Sequence, residues 1–136
     1  MIASLFCIPA VAVHAQFVEN FGDQGTFRSL RGQVQDGTET GIPFARLYLK
    51  KEGKDEEVLI ETDEDGRFRK TDLPNGRYGV EIRVSGFNLF AFSLRLNKQS
   101  GSKNFIVAGL SPGCSTGGFG IRLVKSLKRI SEKTSN

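Results

Sequence analysis

Between residues 29 and 108 apolar and polar positions alternate in short runs, each closed by a turn signal. In a run at 29–35, Leu30, Gly32 and Val34 share one face, with Arg31, Gln33 and Gln35 on the other. A period of two marks a strand with one face buried. Asp36 to Gly41 turns the chain. The next run places Ala45, Leu47 and Leu49 inward, with Phe44, Arg46, Tyr48 and Lys50 outward. Pro43 at its head cannot donate to a ladder, which suits a strand start or a sheet edge. A charged loop at 50–57 precedes a strand at 56–62 with Val58 and Ile60 inward. Asp63-Glu64-Asp65-Gly66 reads as a hairpin turn, its glycine supplying a positive φ. A short strand at 67–70 is built around Phe68, and Leu73-Pro74-Asn75-Gly76 turns the chain again.

Tyr78, Val80, Ile82 and Val84 then alternate with Gly79, Glu81 and Arg83. Ser85-Gly86 breaks that strand. Phe90, Phe92, Leu94 and Leu96 line one face of the next, and residues 104–108 form the last, with Phe105 and Val107 together. The pattern predicts an all-β domain, a seven-stranded antiparallel β-sandwich of Greek-key type.

The flanks read differently. Residues 1–15 hold no Asp, Glu, Lys or Arg, and 5–13 form an apolar stretch of signal-peptide length. Val13-His14-Ala15 suits a signal peptidase, so cleavage is expected after Ala15; the alternative is a buried N-terminal strand. Residues 16–27 form a leader segment with two glycines, read as irregular. Residues 110–120 are a Gly-rich linker, and 121–130 fit either a helix or an extra strand. The domain is thus expected at 28–109, with 110–136 as linker and basic tail.

The net charge of +4 is concentrated at one end. From Arg122 onward there are five basic residues and one acidic, which leaves fourteen of the 19 basic and fourteen of the 15 acidic residues for the rest. Arg122, Lys125, Lys128 and Arg129 are therefore candidate contacts for an anionic partner. Cleavage after Ala15 would remove Cys7 and His14, leaving Cys114 as the single thiol and no histidine. Cys114 then has no internal disulfide partner and is open to pairing with another chain.

Taken in order, Gly32-Gln33-Val34 with Asp36-Gly37, Gly41-Ile42-Pro43, Thr62-Asp63-Glu64-Asp65-Gly66-Arg67-Phe68, Leu73-Pro74-Asn75-Gly76-Arg77-Tyr78 and Gly86-Phe87 resemble the carboxypeptidase regulatory-like family. The resemblance spans about 28–108 and implies a transthyretin-like, carbohydrate-binding-like sandwich of secreted bacterial proteins. The shared residues are structural, so it carries over no active site.

A histidine-free mature chain lacks the ligands of a zinc carboxypeptidase, the base of a Ser-His-Asp triad, and the histidines on which transthyretin-like hydrolases rely. No enzymatic activity, cofactor or metal is expected. The acidic turn at 63–66 lacks the spacing of an EF-hand loop. Glu81 falls on the solvent side by parity, which argues against its serving as the buried acid of an isopeptide bond.

The expectation is a secreted or periplasmic binding or scaffolding module of the cell envelope. Its partner would be an envelope polysaccharide or a protein. Nucleic acid is not expected, and membrane contact would run only through the basic tail. Two alternatives stand beside it. One is a carbohydrate-binding module using Phe44 and Tyr48 as an aromatic platform, unless the leader, through Phe17 or Phe21, covers them. The other is an accessory subunit of a separate enzyme.

Overall fold

Nine strands stack as two sheets in the computed structural model, which describes residues 18–101, 104–113 and 120–127. They are β1 (Val18–Phe27), β2 (Leu30–Gln35), β3 (Arg46–Lys51), β4 (Glu57–Glu61), β5 (Arg67–Lys70), β6 (Gly76–Arg83), β7 (Leu89–Leu96), β8 (Phe105–Gly109) and β9 (Gly120–Val124). One sheet runs β1-β7-β6-β3-β4, the other β5-β2-β8-β9. The all-β sandwich holds, with nine strands in place of seven and two parallel pairs, β1 with β7 and β2 with β8, where antiparallel pairing was expected.

The core fills from the alternating positions. Leu47, Leu49, Val80, Ile82, Phe90, Phe92 and Leu94 of the five-stranded sheet face Leu30, Val34, Phe68, Ile106 and Ala108 of the other, all buried. Full burial of one large apolar side chain contributes about 1.5–3 kcal/mol. Gly32 lies where β2 meets β8, and a Cβ there would fall 1.8 Å from the Ile106 carbonyl oxygen. No other residue fits so close an approach.

The leader is where the pattern misled. Residues 18–27 form β1, yet Gly22 and Gly25 take φ of 74° and 107°. The Asn20 and Asp23 side chains accept hydrogen bonds from the backbone N–H of Gly22 and Gly25, at 2.9 and 2.7 Å. These local turns shift the β1–β7 register twice. A strand bulged in this way shows no period of two. At the other end, Gly120–Val124 is a strand, which settles the choice between helix and strand there.

Asp63–Gly66 is a turn between sheets and no hairpin, since β4 belongs to the five-stranded sheet and β5 to the four-stranded one. Asp63 Oδ1 accepts the N–H of Asp65 and Arg67, and Gly66 takes φ 78°. Beside it Thr62 is buried, its Oγ1 accepting the Ala45 N–H at 2.7 Å and donating to the Ile42 carbonyl at 2.8 Å. That hydroxyl ties the β2–β3 connection to the point where the chain changes sheets.

The registers also fix the direction of travel. β1 runs parallel to β7, and Asn97 just past β7 donates to the Phe27 carbonyl. β2 therefore starts at the Leu96 end of the sandwich. β8 is parallel to β2 and β9 antiparallel to β8, so β9 finishes at that same end, while β1 starts at the opposite one.

Candidate ligand-binding face

The outer surface of the five-stranded sheet is written by the residues between the core positions. Cross-strand pairing builds the row Leu59–Tyr48–Glu81–Ala91–Asn20 and, beside it, Glu57–Lys50–Gly79–Ser93–Asp23. Gly79, Ala91 and Ser93 are small, so the sheet is shallow between Tyr48 on one side and β1 on the other. The result is an open trough of about 470 Å³, with Lys50, Glu81, Asn20 and Asp23 around it. Arg77 closes one end through a 3.4 Å ion pair with Asp23.

Tyr48 stands between this trough and a second depression of about 570 Å³, lined by Phe44, Arg46, Tyr48, Arg83, Val84 and Ser85. The Arg83 guanidinium lies 4.2 Å from the Tyr48 ring centroid, within cation–π range. Glu81 Oε1 holds that guanidinium, accepting from Nη2 at 2.6 Å and from Nε at 3.2 Å. The hydrogen bond to Glu81 pushes the Arg83 pKa further up. One face of Tyr48 is thus taken by Arg83.

Phe44 and Tyr48 are brought to one depression. Phe44 does not belong to β3, as its run suggested; its φ of 57° lies in the left-handed region, and β3 begins at Arg46. Its N–H donates to the Thr62 carbonyl at 3.2 Å, and the residue is 60% exposed. A bulky residue in that region is held there by its surroundings at a cost of about 1–3 kcal/mol. The described part of the leader, residues 18–27, does not cover it. Phe21 packs at the far edge of the sheet, 4.6 Å from the Phe90 ring and against Gly120. Phe17 lies outside the described residues.

Arg122 falls on the outer surface of the other sheet, and Lys125 is exposed just beyond β9. Lys128, Arg129 and Cys114 lie outside the described residues. Sequence reasoning passed over Arg83, Gly79, Ala91 and Ser93. Their outward parity was legible in β6 and β7, but the strand order that sets them beside Tyr48 was not.

A family model described as the carboxypeptidase regulatory-like domain matches residues 29–108. Serine-aspartate repeat-containing protein D of Staphylococcus aureus, in strains Newman and MW2, is 38% identical over 69 residues, half of this chain. The match spans only 5% of the length of those relatives. The solved structure of Klebsiella pneumoniae 5-hydroxyisourate hydrolase superposes with a TM-score of 0.50 at 21% identity, covering 70% of this chain and 97% of that one. Catechol 1,2-dioxygenase from Acinetobacter sp. ADP1 gives a TM-score of 0.40 at 8% identity, over 92% of this chain and 68% of that one. The expectation of no enzymatic activity is corrected by the first of these structures. An enzyme is built on this same sandwich, so the fold gives no ground for setting catalysis aside, while 21% identity transfers no activity.

Proposed function

We propose that this chain, which belongs to the carboxypeptidase regulatory-like domain family, is an exported module of the cell envelope that binds a glycan on the outer face of its five-stranded sheet. One observation carries the reading. Phe44 is 60% exposed on a strained backbone, in the same depression as Tyr48. Strain of this kind clusters at ligand-binding positions. Phe44 offers an open ring face to a sugar, and the polar ends of Lys50, Glu81 and Asn20 stand in the adjoining trough where hydroxyls would lie. A few placed polar groups beside an aromatic surface are what orients a small ligand. Export rests on the charge-free, apolar stretch 1–15.

The test is co-sedimentation of the full chain with insoluble envelope polysaccharide, alone and as Phe44→Ala, Tyr48→Ala and Phe44→Gly. Each loss of an aromatic anchor is expected to weaken binding about tenfold or more. Phe44→Gly also relieves the backbone, so it should lose binding while the protein gains thermal stability. Undiminished binding in Phe44→Ala combined with Tyr48→Ala would sink the glycan reading and turn the search to protein partners.

A further inference from the structure

The outer surface of the four-stranded sheet is of another kind. Its register sets Arg69 opposite Arg31, and builds Arg67–Gln33–Val107–Arg122 as one row across all four strands. The remaining outward positions are Gln35, Phe105, Gly109, Gly120 and Val124. Four arginines thus share one surface whose strand positions include no Asp or Glu. No single stretch of sequence shows this, because the four come from three strands separated by up to 91 positions, from Arg31 to Arg122.

Two devices hold these side chains in place. The Arg31 guanidinium lies over the Phe105 ring at 4.2 Å from its centroid. Such stacking fixes the direction in which the side chain leaves the sheet. Arg122 heads a chain of hydrogen bonds that crosses the sheet. Its Nη2 donates to Gln35 Oε1 at 3.1 Å, Gln35 Nε2 to Gln33 Oε1 at 2.9 Å, and Gln33 Nε2 to the Asp65 carbonyl at 2.8 Å. Gln33 and Val107 point outward, yet they are only 4% and 3% exposed. The centre of the surface is therefore packed, and its charge is carried on positioned arms. In the turns that border it, the first carboxylates cap the backbone N–H groups of their own turns. Asp36 Oδ1 accepts from the N–H of Thr38 and Thr40, and Asp63 Oδ1 from those of Asp65 and Arg67. Glu64 and Asp65 are exposed beside β5, at one margin.

We infer that this arginine surface is a docking site for an anionic polysaccharide, laid across the strands with its acidic groups on Arg69 and Arg122. Charge complementarity is the argument for that occupant. Planar guanidinium groups fit carboxylate and sulfate oxygens two at a time. A row of charged groups that spans all four strands suits an extended chain better than a small anion. Single-stranded nucleic acid is recognised on open aromatic rings, and the aromatic ring of this surface is covered by Arg31. The site is separate from the glycan face around Tyr48 and does not depend on it.

The experiment measures binding of the full chain to dextran sulfate, to neutral dextran of matched length and to oligo-dT, over a salt series. Two variants of equal charge change are compared: Arg69→Gln with Arg122→Gln, and Lys128→Gln with Arg129→Gln. The surface variant is expected to lose about tenfold in affinity for dextran sulfate, with a shallower salt slope, whereas the tail variant loses about twofold or less. Both substitutions of the surface pair are on exposed residues, and an unchanged thermal midpoint shows that the fold is intact. Phe44→Ala with Tyr48→Ala should leave dextran sulfate binding unchanged, which keeps this site distinct from the glycan face. Equal losses in the two charge variants, equal binding of neutral dextran, or oligo-dT bound as tightly as dextran sulfate would each overturn the assignment.

Discussion

The two sheets of the sandwich both carry arginines outward, but they surround them differently. On the five-stranded sheet three of them have carboxylate partners, Arg46 with Glu61 at 3.9 Å, Arg77 with Asp23 at 3.4 Å and Arg83 with Glu81 at 2.6 Å, while Arg95 of β7 lies opposite Arg77. On the four-stranded sheet the outward strand positions carry arginines, glutamines and apolar residues. Their glycines differ as well. Gly32 of β2 meets the backbone of β8, whereas a Cβ on Gly79 of β6 would meet nothing within 4 Å. At the centre of one sheet, β3, β6 and β7 each declare their own faces. The other depends on contacts between residues far apart in the chain, so it should be far less tolerant of change.

The widest gap is expected between those two glycines. Gly32→Ala should cost about 4 kcal/mol or more, since a backbone carbonyl cannot swing aside, and thermal unfolding would show it as a collapse of the midpoint or loss of soluble protein. A small shift would mean that β2 and β8 can separate, and the contrast between the sheets would fail. Thr62→Val comes next. The swap keeps the volume but strips two hydrogen bonds from a buried site where the chain crosses between sheets, for an expected loss of about 2–3 kcal/mol in urea unfolding.

A pH series sharpens the comparison at the end of β2. Burial pushes the Asp36 carboxyl up, but hydrogen bonds from the Thr38 hydroxyl and from the N–H of Thr38 and Thr40 outweigh that and hold its pKa below the ordinary value. The ionised form is therefore favoured in the folded state. Its stabilisation is complete above the unfolded pKa of about 4 and is lost as pH falls through the lower folded value. Asp36→Asn should flatten the acid limb of the stability profile below about pH 4; an unaltered limb would remove Asp36 from the account. The smallest effect is expected at Gly79→Ala, within about 0.5 kcal/mol of neutral and on the stabilising side, because a strand glycine loses more backbone freedom on folding. The same methyl narrows the trough beside Tyr48, so a change in glycan binding at constant stability would locate the ligand there.

The same contrast explains what the sequence could and could not tell. Strands β3, β6 and β7 alternate without interruption, so Leu47, Val80 and Phe92 were legible as core and Tyr48 as outward. β1 was hidden by its glycine-bearing bulges, while β9, short and at the edge of a basic tail, was legible only as one of two alternatives, helix or strand. Phe105 and Val107 share a face, as their alternation suggested, and it is the outer one, where Val107 is buried in one row with Gln33 and Arg122. The gathering of Arg31, Arg67, Arg69 and Arg122 follows from the parallel pairing of β2 with β8, a contact across some seventy residues that no local pattern encodes. Phe44 was placed on the right surface for an incomplete reason, because its exposure comes from a left-handed backbone and not from strand parity.

Strands β1 and β9 begin and end at opposite ends of the sandwich. If the module is held by the chain on both sides, tension enters along β1 and leaves along β9, parallel to the strands they pair with. Stretching a tandem array in an optical trap should give high, all-at-once rupture events; a gradual low-force extension would contradict this. The hydrogen bonds of the two edge strands would then bear load in shear, side by side, so the module would behave as a mechanical link that resists pulling until it gives way as a whole.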